Sequence, residues 1–147
     1  MKYVTKLIPT AILVMLISAP VLANSAKGLK YGALEIKKDA IGLFLKSKRM
    51  AEAENDSFLP VLASAILALE QTIDRAEAAD QYLTEHEDEL FLVEFTKACS
   101  KIAIARGRLF RAKLMLSKEP NDYINAEDLE VLREDIVSLR DAVDCPS

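Results

Sequence analysis

A seven-residue apolar repeat runs through the stretch from Phe91 to Leu116. Phe91, Ala98, Ala105 and Ala112 hold one position of the repeat, and Phe95, Ile102, Leu109 and Leu116 hold the other. Steps of four and three residues put all of them on one face of a helix, and a seam that long must be covered by other helices. Thr84 followed by Glu87 reads as a capping box at the start of this helix, and Pro120 ends it. Asn125 then caps a further helix, in which Leu129, Leu132, Ile136, Leu139 and Val143 repeat the same alternation.

Upstream, Leu34, Ile41 and Leu45, flanked by Ala33, Ile36, Ala40 and Phe44, predict a helix over about 30–53. Asn55-Asp56-Ser57 stops it and caps the next, about 58–83, whose first turn accepts Pro60. The first half of that helix is apolar nearly all round. Such a helix is central, or hides a surface around Phe58, Val61 and Leu62 against a partner. Strand-like alternation and domain-dividing linkers are both missing. The expected fold is all-α, an up-down-up-down antiparallel four-helix bundle.

The amino-terminal residues carry a different signal. Lys2 and Lys6 precede an apolar run from Ala11 to Ile17, and Val21 and Ala23 offer small residues for a signal peptidase. The run is shorter than the roughly 20 residues a spanning helix needs. Residues 1–23 therefore read as a cleaved signal peptide and 24–147 as a single helical domain. The formal net charge is −4, and losing Lys2 and Lys6 makes the remainder more acidic still. Nucleic acid is disfavoured as a partner. No later apolar run reaches spanning length. Export to a periplasmic or extracellular compartment puts the two cysteines where disulfides persist.

Helix register then predicts their pairing. From Cys99 to Ser117 the third helix climbs roughly 27 Å, and from Ala126 to Cys145 the fourth returns about 28 Å. An antiparallel hairpin brings Cys145 level with Cys99, so a disulfide is expected.

Six cations crowd the stretch KACSKIAIARGRLFRAK. Arg106 and Lys113 lie seven apart beside the seam, and Asp128 and Asp135 of the fourth helix match that spacing. Ion pairs that set register are expected there, with a semi-buried anion site as the alternative. Lys97, Lys101, Arg108 and Arg111 fall on another face, read as pointing away from the core. That stripe is either a solvated face favoured by the helix dipole or a docking surface for an acidic partner. Gly107, costly inside a helix, is expected where a neighbour with small Ala63, Ala65 or Ala68 approaches closely.

Familiar catalytic patterns are not found. His86 is the only histidine, so di-iron Glu-x-x-His pairs cannot form, and no metal or cofactor site is expected. No Gly-rich phosphate loop or haem-attachment motif occurs. The expected function is an exported, non-enzymatic bundle that binds another protein: an immunity or inhibitor protein, an envelope accessory factor, or a small chaperone. A small helical enzyme with an Arg/Lys anion pocket, or a carrier of an apolar ligand, stays open. So does self-association.

Overall fold

The computed structural model describes residues 19–48 and 56–146. Four helices run through the described residues: α1 Ala19–Ser47, α2 Phe58–Thr84, α3 Asp88–Lys118 and α4 Ala126–Ala142. All regular structure among the described residues is helical. Each helix packs on the next, α1 also packs on α4, and α2 and α3 share the largest interface. Among the described residues, no helix is long and apolar enough to cross a membrane. Residues 1–18, most of the expected signal segment, and 49–55, the last part of the expected first helix and Asn55 of its stop, lie outside the described residues. The expected cleavage point after Ala23 falls within the first turns of α1 as described.

The seven-residue seam is the core. Phe91, Ala98, Ile102, Ala105, Leu109, Ala112 and Leu116 are buried, and Phe95 packs against them. Alanine at every other seam position lets α2 come close, and α2 answers with its own buried Ala65, Ala68 and Ala76. Phe58 and Leu62 of α2 are fully inside. The apolar surface expected around them is therefore core, not a docking face.

The inner face of α1 has a different phase from the expected one. Leu29, Ala33, Ile36 and Ala40 are buried, whereas Leu34 and Leu45 are exposed. The covered face lies one residue away from the expected one because α1 is apolar on more than one face. Lys30 meets Glu77 and Lys37 meets Glu70 at 3.5 and 3.6 Å. Partners seven apart on α1 are thus seven apart in the reverse sense on α2. On its other side α1 lies so close to α4 that a Cβ on Gly32 would sit 2.5 Å from the Leu139 side chain. Gly107, by contrast, has nothing within 4 Å of such a Cβ. The close approach expected at Gly107 is found at Gly32 instead.

Two helix ends show how the chain turns. At the end of α2, Glu87 N–H donates to the Tyr82 carbonyl and His86 N–H to that of Leu83, with His86 at φ 62°. At the end of α4, Cys145 N–H donates to the Arg140 carbonyl and Asp144 N–H to that of Asp141, with Asp144 at φ 58°. Both are Schellman turns with a left-handed residue that is not glycine. His86 is thereby a turn residue. The first turn also corrects the expected capping box: Thr84 Oγ1 donates back to the Asp80 carbonyl, and α3 starts at Asp88 without a side-chain cap. Ser57 likewise caps nothing and donates to Glu119 instead. The Asn125 cap forms, reciprocated by Asp128.

Asn121, in the α3–α4 connection, ties that end of the bundle together. Its Nδ2 donates to the Ser47 carbonyl at 3.3 Å and to Asp56 at 2.7 Å, while its Oδ1 accepts from the Tyr123 and Ile124 amides.

Candidate functional site: the basic groove between the last two helices

The seam of α3 leaves two flanks, one facing α2 and one facing α4. On the α4 flank stand Cys99, Arg106, Phe110 and Lys113. From α4, Glu130, Arg133, Val137 and Arg140 project toward them at helical spacing.

Cys99 and Cys145 stand at disulfide-bonding distance, their Cα atoms 5.6 Å apart, as the hairpin register predicts. The Schellman turn at Asp144 is what brings Cys145 back toward α3. In the groove, Lys113 Nζ donates to Glu130 at 2.9 Å, and Arg133 reaches the same carboxylate through Nε and Nη2 at 2.9 and 2.6 Å. These donors, Arg133 first and Lys113 second, hold the Glu130 carboxyl well below its usual 4.5, at about 2. Both cations also approach the Phe110 ring, Lys113 at 5.6 Å and Arg133 at 6.0 Å from its centroid. Phe110 remains 44% exposed. It is an apolar platform under a positive rim.

Farther along, Arg140 Nη2 donates to the Pro146 carbonyl at 2.7 Å. Its Nε is buried with no hydrogen-bond partner among the described residues. Burial, and then the nearby Arg106 charge, push the Arg140 guanidinium below its ordinary pKa. Arg106 is part-buried and makes no ion pair or hydrogen bond with a described residue.

The expected register pairs are thus replaced. Lys113 takes Glu130, not Asp128, because Asp128 is occupied by the Asn125 cap. Asp135 is exposed one turn before Leu139, the residue lying against α1, so it sits on the flank away from Arg106. Seven-residue spacing alone does not tell one flank of a seam from the other.

The stripe of Lys97, Lys101, Arg108 and Arg111 also divides. Lys97 is exposed and pairs with Glu94 at 3.6 Å, and Arg111 is exposed. Arg108, expected to point outward, is part-buried and donates from Nη1 to the Ser64 carbonyl of α2 at 3.0 Å. Lys101 lines a shallow hollow with Gln71, Asp74 and Arg75. Two of the four therefore belong to the α2–α3 edge.

No family model, curated protein or solved structure matches the chain. The groove must be read from its own chemistry.

Sequence reasoning missed Arg133, Arg140 and Phe110 as members of this group. Their signal was present: Glu130, Arg133, Val137 and Arg140 recur at threes and fours on one side of the α4 seam. Only a known neighbour for that side gives the recurrence meaning.

Proposed function

We propose that this chain is an exported, non-enzymatic bundle in up-down-up-down order that binds an acidic surface of another protein through the α3–α4 groove. Compartment and processing are inferred from the amino-terminal pattern, with the paired cysteines in support. The observation that carries the binding reading is the charge surplus of the groove. Lys113 and Arg133 flank exposed Phe110, Arg106 and Arg140 stand farther along the same groove, and among the described residues Glu130 is the acid that pairs directly with this group. In a chain of net charge −4, cations kept together this way are rewarded by an acidic partner. Lys97 and Arg111 stand on a separate, exposed side of α3, Lys97 paired there with Glu94.

The alanine-lined seam draws the helices close together, which supports a binding surface over an interior carrier of apolar ligands. One observation favours the second reading, an anion pocket: Arg106 has no acidic partner among the described residues.

The test is affinity capture of the mature protein from its own envelope extract, followed by rate measurements with the captured protein. Phe110→Ala and Arg106→Glu are expected to slow association, and added salt to slow the wild type in the same way. Association at wild-type rate by both variants at low salt would remove the groove from consideration. Lys97→Glu with Arg111→Glu then tests the exposed side of α3.

A further inference from the structure

The outer face of the α3–α4 hairpin carries apolar side chains between a basic row and an acidic one. Phe110 and Leu114 of α3 and Val131 and Val137 of α4 are all exposed. Gly107, one turn from Phe110, is exposed with open space around it, so an incoming helix can approach α3 closely there. Arg111 and Lys118 border this face on α3, on the side away from the groove, seven residues apart. Glu127, Glu134 and Asp141 line it on α4 at the same spacing. These charged residues are exposed, and none has an ion pair or hydrogen bond with a described residue. Glu134 and Asp141 act on Arg133 and Arg140 only by their charge.

The hairpin register sets the heights of the two rows. Lys113 stands level with Glu130, and Cys99 with Cys145. Counted from those levels, Arg111 lies within two residues of the height of Glu134, and Lys118 within two of Glu127, about 3 Å at 1.5 Å per residue. A two-fold axis laid along the groove, parallel to the helices, keeps every height and sets α3 of each copy antiparallel on α4 of the other. Each basic row then meets an acidic row.

We infer that this face is self-complementary and that its occupant is a second copy of the chain, with Arg111 meeting Glu134 and Lys118 meeting Glu127 across the two-fold. Phe110 and Leu114 of one copy are then covered by Val137 and Val131 of the other. The inference rests on the reading that the groove binds an acidic surface, and identifies that surface as the outer row of α4. With 17 residues, α4 is about 25 Å long. Two packed helices are about 20 Å across, so the contact covers on the order of 500 Å² per copy. A standard interface takes roughly 800 Å² per partner, so the dimer is reversible, with a Kd of about 10–100 µM.

The test is sedimentation equilibrium of the purified exported form, cysteines oxidised, without a partner. The wild type is expected to pass from monomer to dimer across that concentration range and to dissociate in high salt. Arg111→Glu and Glu134→Arg, each alone, are expected to raise the Kd about tenfold or more, since each substitution acts twice across a two-fold contact. Both positions are exposed, so the fold is left intact. Mixed in equal amounts, the two variants should form a heterodimer of near wild-type affinity, because one pair is restored with its signs reversed and the other is untouched. A wild type that stays monomeric at about 500 µM overturns the second copy as occupant. So do single variants that dimerise as tightly as the wild type, or a mixture that fails to recover. The groove reading falls separately, when a captured partner associates at wild-type rate with both Phe110→Ala and Arg106→Glu, whatever the oligomeric state.

Discussion

The two flanks of α3 carry similar charges and treat them differently. On the α2 flank, Arg75 reaches Glu94 at 3.0 Å and Arg108 reaches the Ser64 carbonyl at the same distance. These cations are tied into the largest interface of the bundle. On the α4 flank, Lys113 and Arg133 crowd one carboxylate, while the Arg106 charge works against that of Arg140. The first flank uses charge to hold two helices together. The second accumulates it, beside cysteines that stand at disulfide-bonding distance. Positive charge on one helix can therefore be structural or available, and which it is depends on the acceptor that the neighbouring helix presents.

The largest effect expected from this contrast comes from the link itself. Cys99 and Cys145 close a loop with a sequence separation of 46, for which chain entropy gives at most roughly 4 kcal/mol. Cys145→Ser should lower unfolding stability in urea by about 2–4 kcal/mol. A loss under about 1 kcal/mol would mean that α4 is held by packing alone.

The second comparison sets two arginines two residues apart against each other. Arg108→Ala removes a part-buried bond to a backbone carbonyl and should cost about 1–1.5 kcal/mol. Arg106→Ala should stay within about 0.5 kcal/mol of wild type, or stabilise slightly by relieving Arg140. Equal losses in denaturant melts would erase the distinction between the flanks.

Smaller still is a glycine test. Gly107→Ala meets no neighbour and should raise stability by about 0.5–1 kcal/mol through helix propensity. Gly32→Ala has the same propensity gain, but its Cβ forces the Leu139 side chain to move. The thermal midpoint should rise for the first and fail to rise for the second.

The smallest effect is the Glu130 network, which is part-buried and surface-like. Its folded pKa lies below its unfolded one, so the stabilisation is complete above about pH 4.5 and is lost as pH falls toward 2. The stability difference between wild type and Glu130→Gln should be present at neutral pH and shrink across that window. A pH-independent difference would show that Lys113 and Arg133 do not depend on the charged carboxylate.

Much of this architecture is legible along the chain. The α3 seam, the limits of α2, the Asn125 cap and the level of the two cysteines follow from helical period and rise, which are local quantities. The phase of α1 does not, because Leu34 and Leu45 are as apolar as Leu29 and Ile36, and only the position of α2 and α4 decides which face is covered. The capping box at Thr84 fails for a related reason. α2 runs through Thr84 and closes with His86 in a left-handed conformation, so the hydroxyl is taken by the preceding turn.

The candidate site is less legible. Sequence alone determined that cations gather on α3 in an acidic chain, that a cysteine stands among them, and that a helical hairpin returns its partner to the same height. Those conclusions need only spacing, charge and the 1.5 Å rise per residue. Tertiary structure decided which cations are spent and which are left. Arg108 is paired because the Ser64 carbonyl faces it from α2, and Arg106 has no ion pair among the described residues because Asp135, the acid of matching spacing, lies on the far flank of α4. A heptad fixes position along a helix to within a turn, but the sense in which two helices roll against each other is set by their whole packed surfaces. At this site that roll separates a salt-bridged seam from an open, positively charged groove.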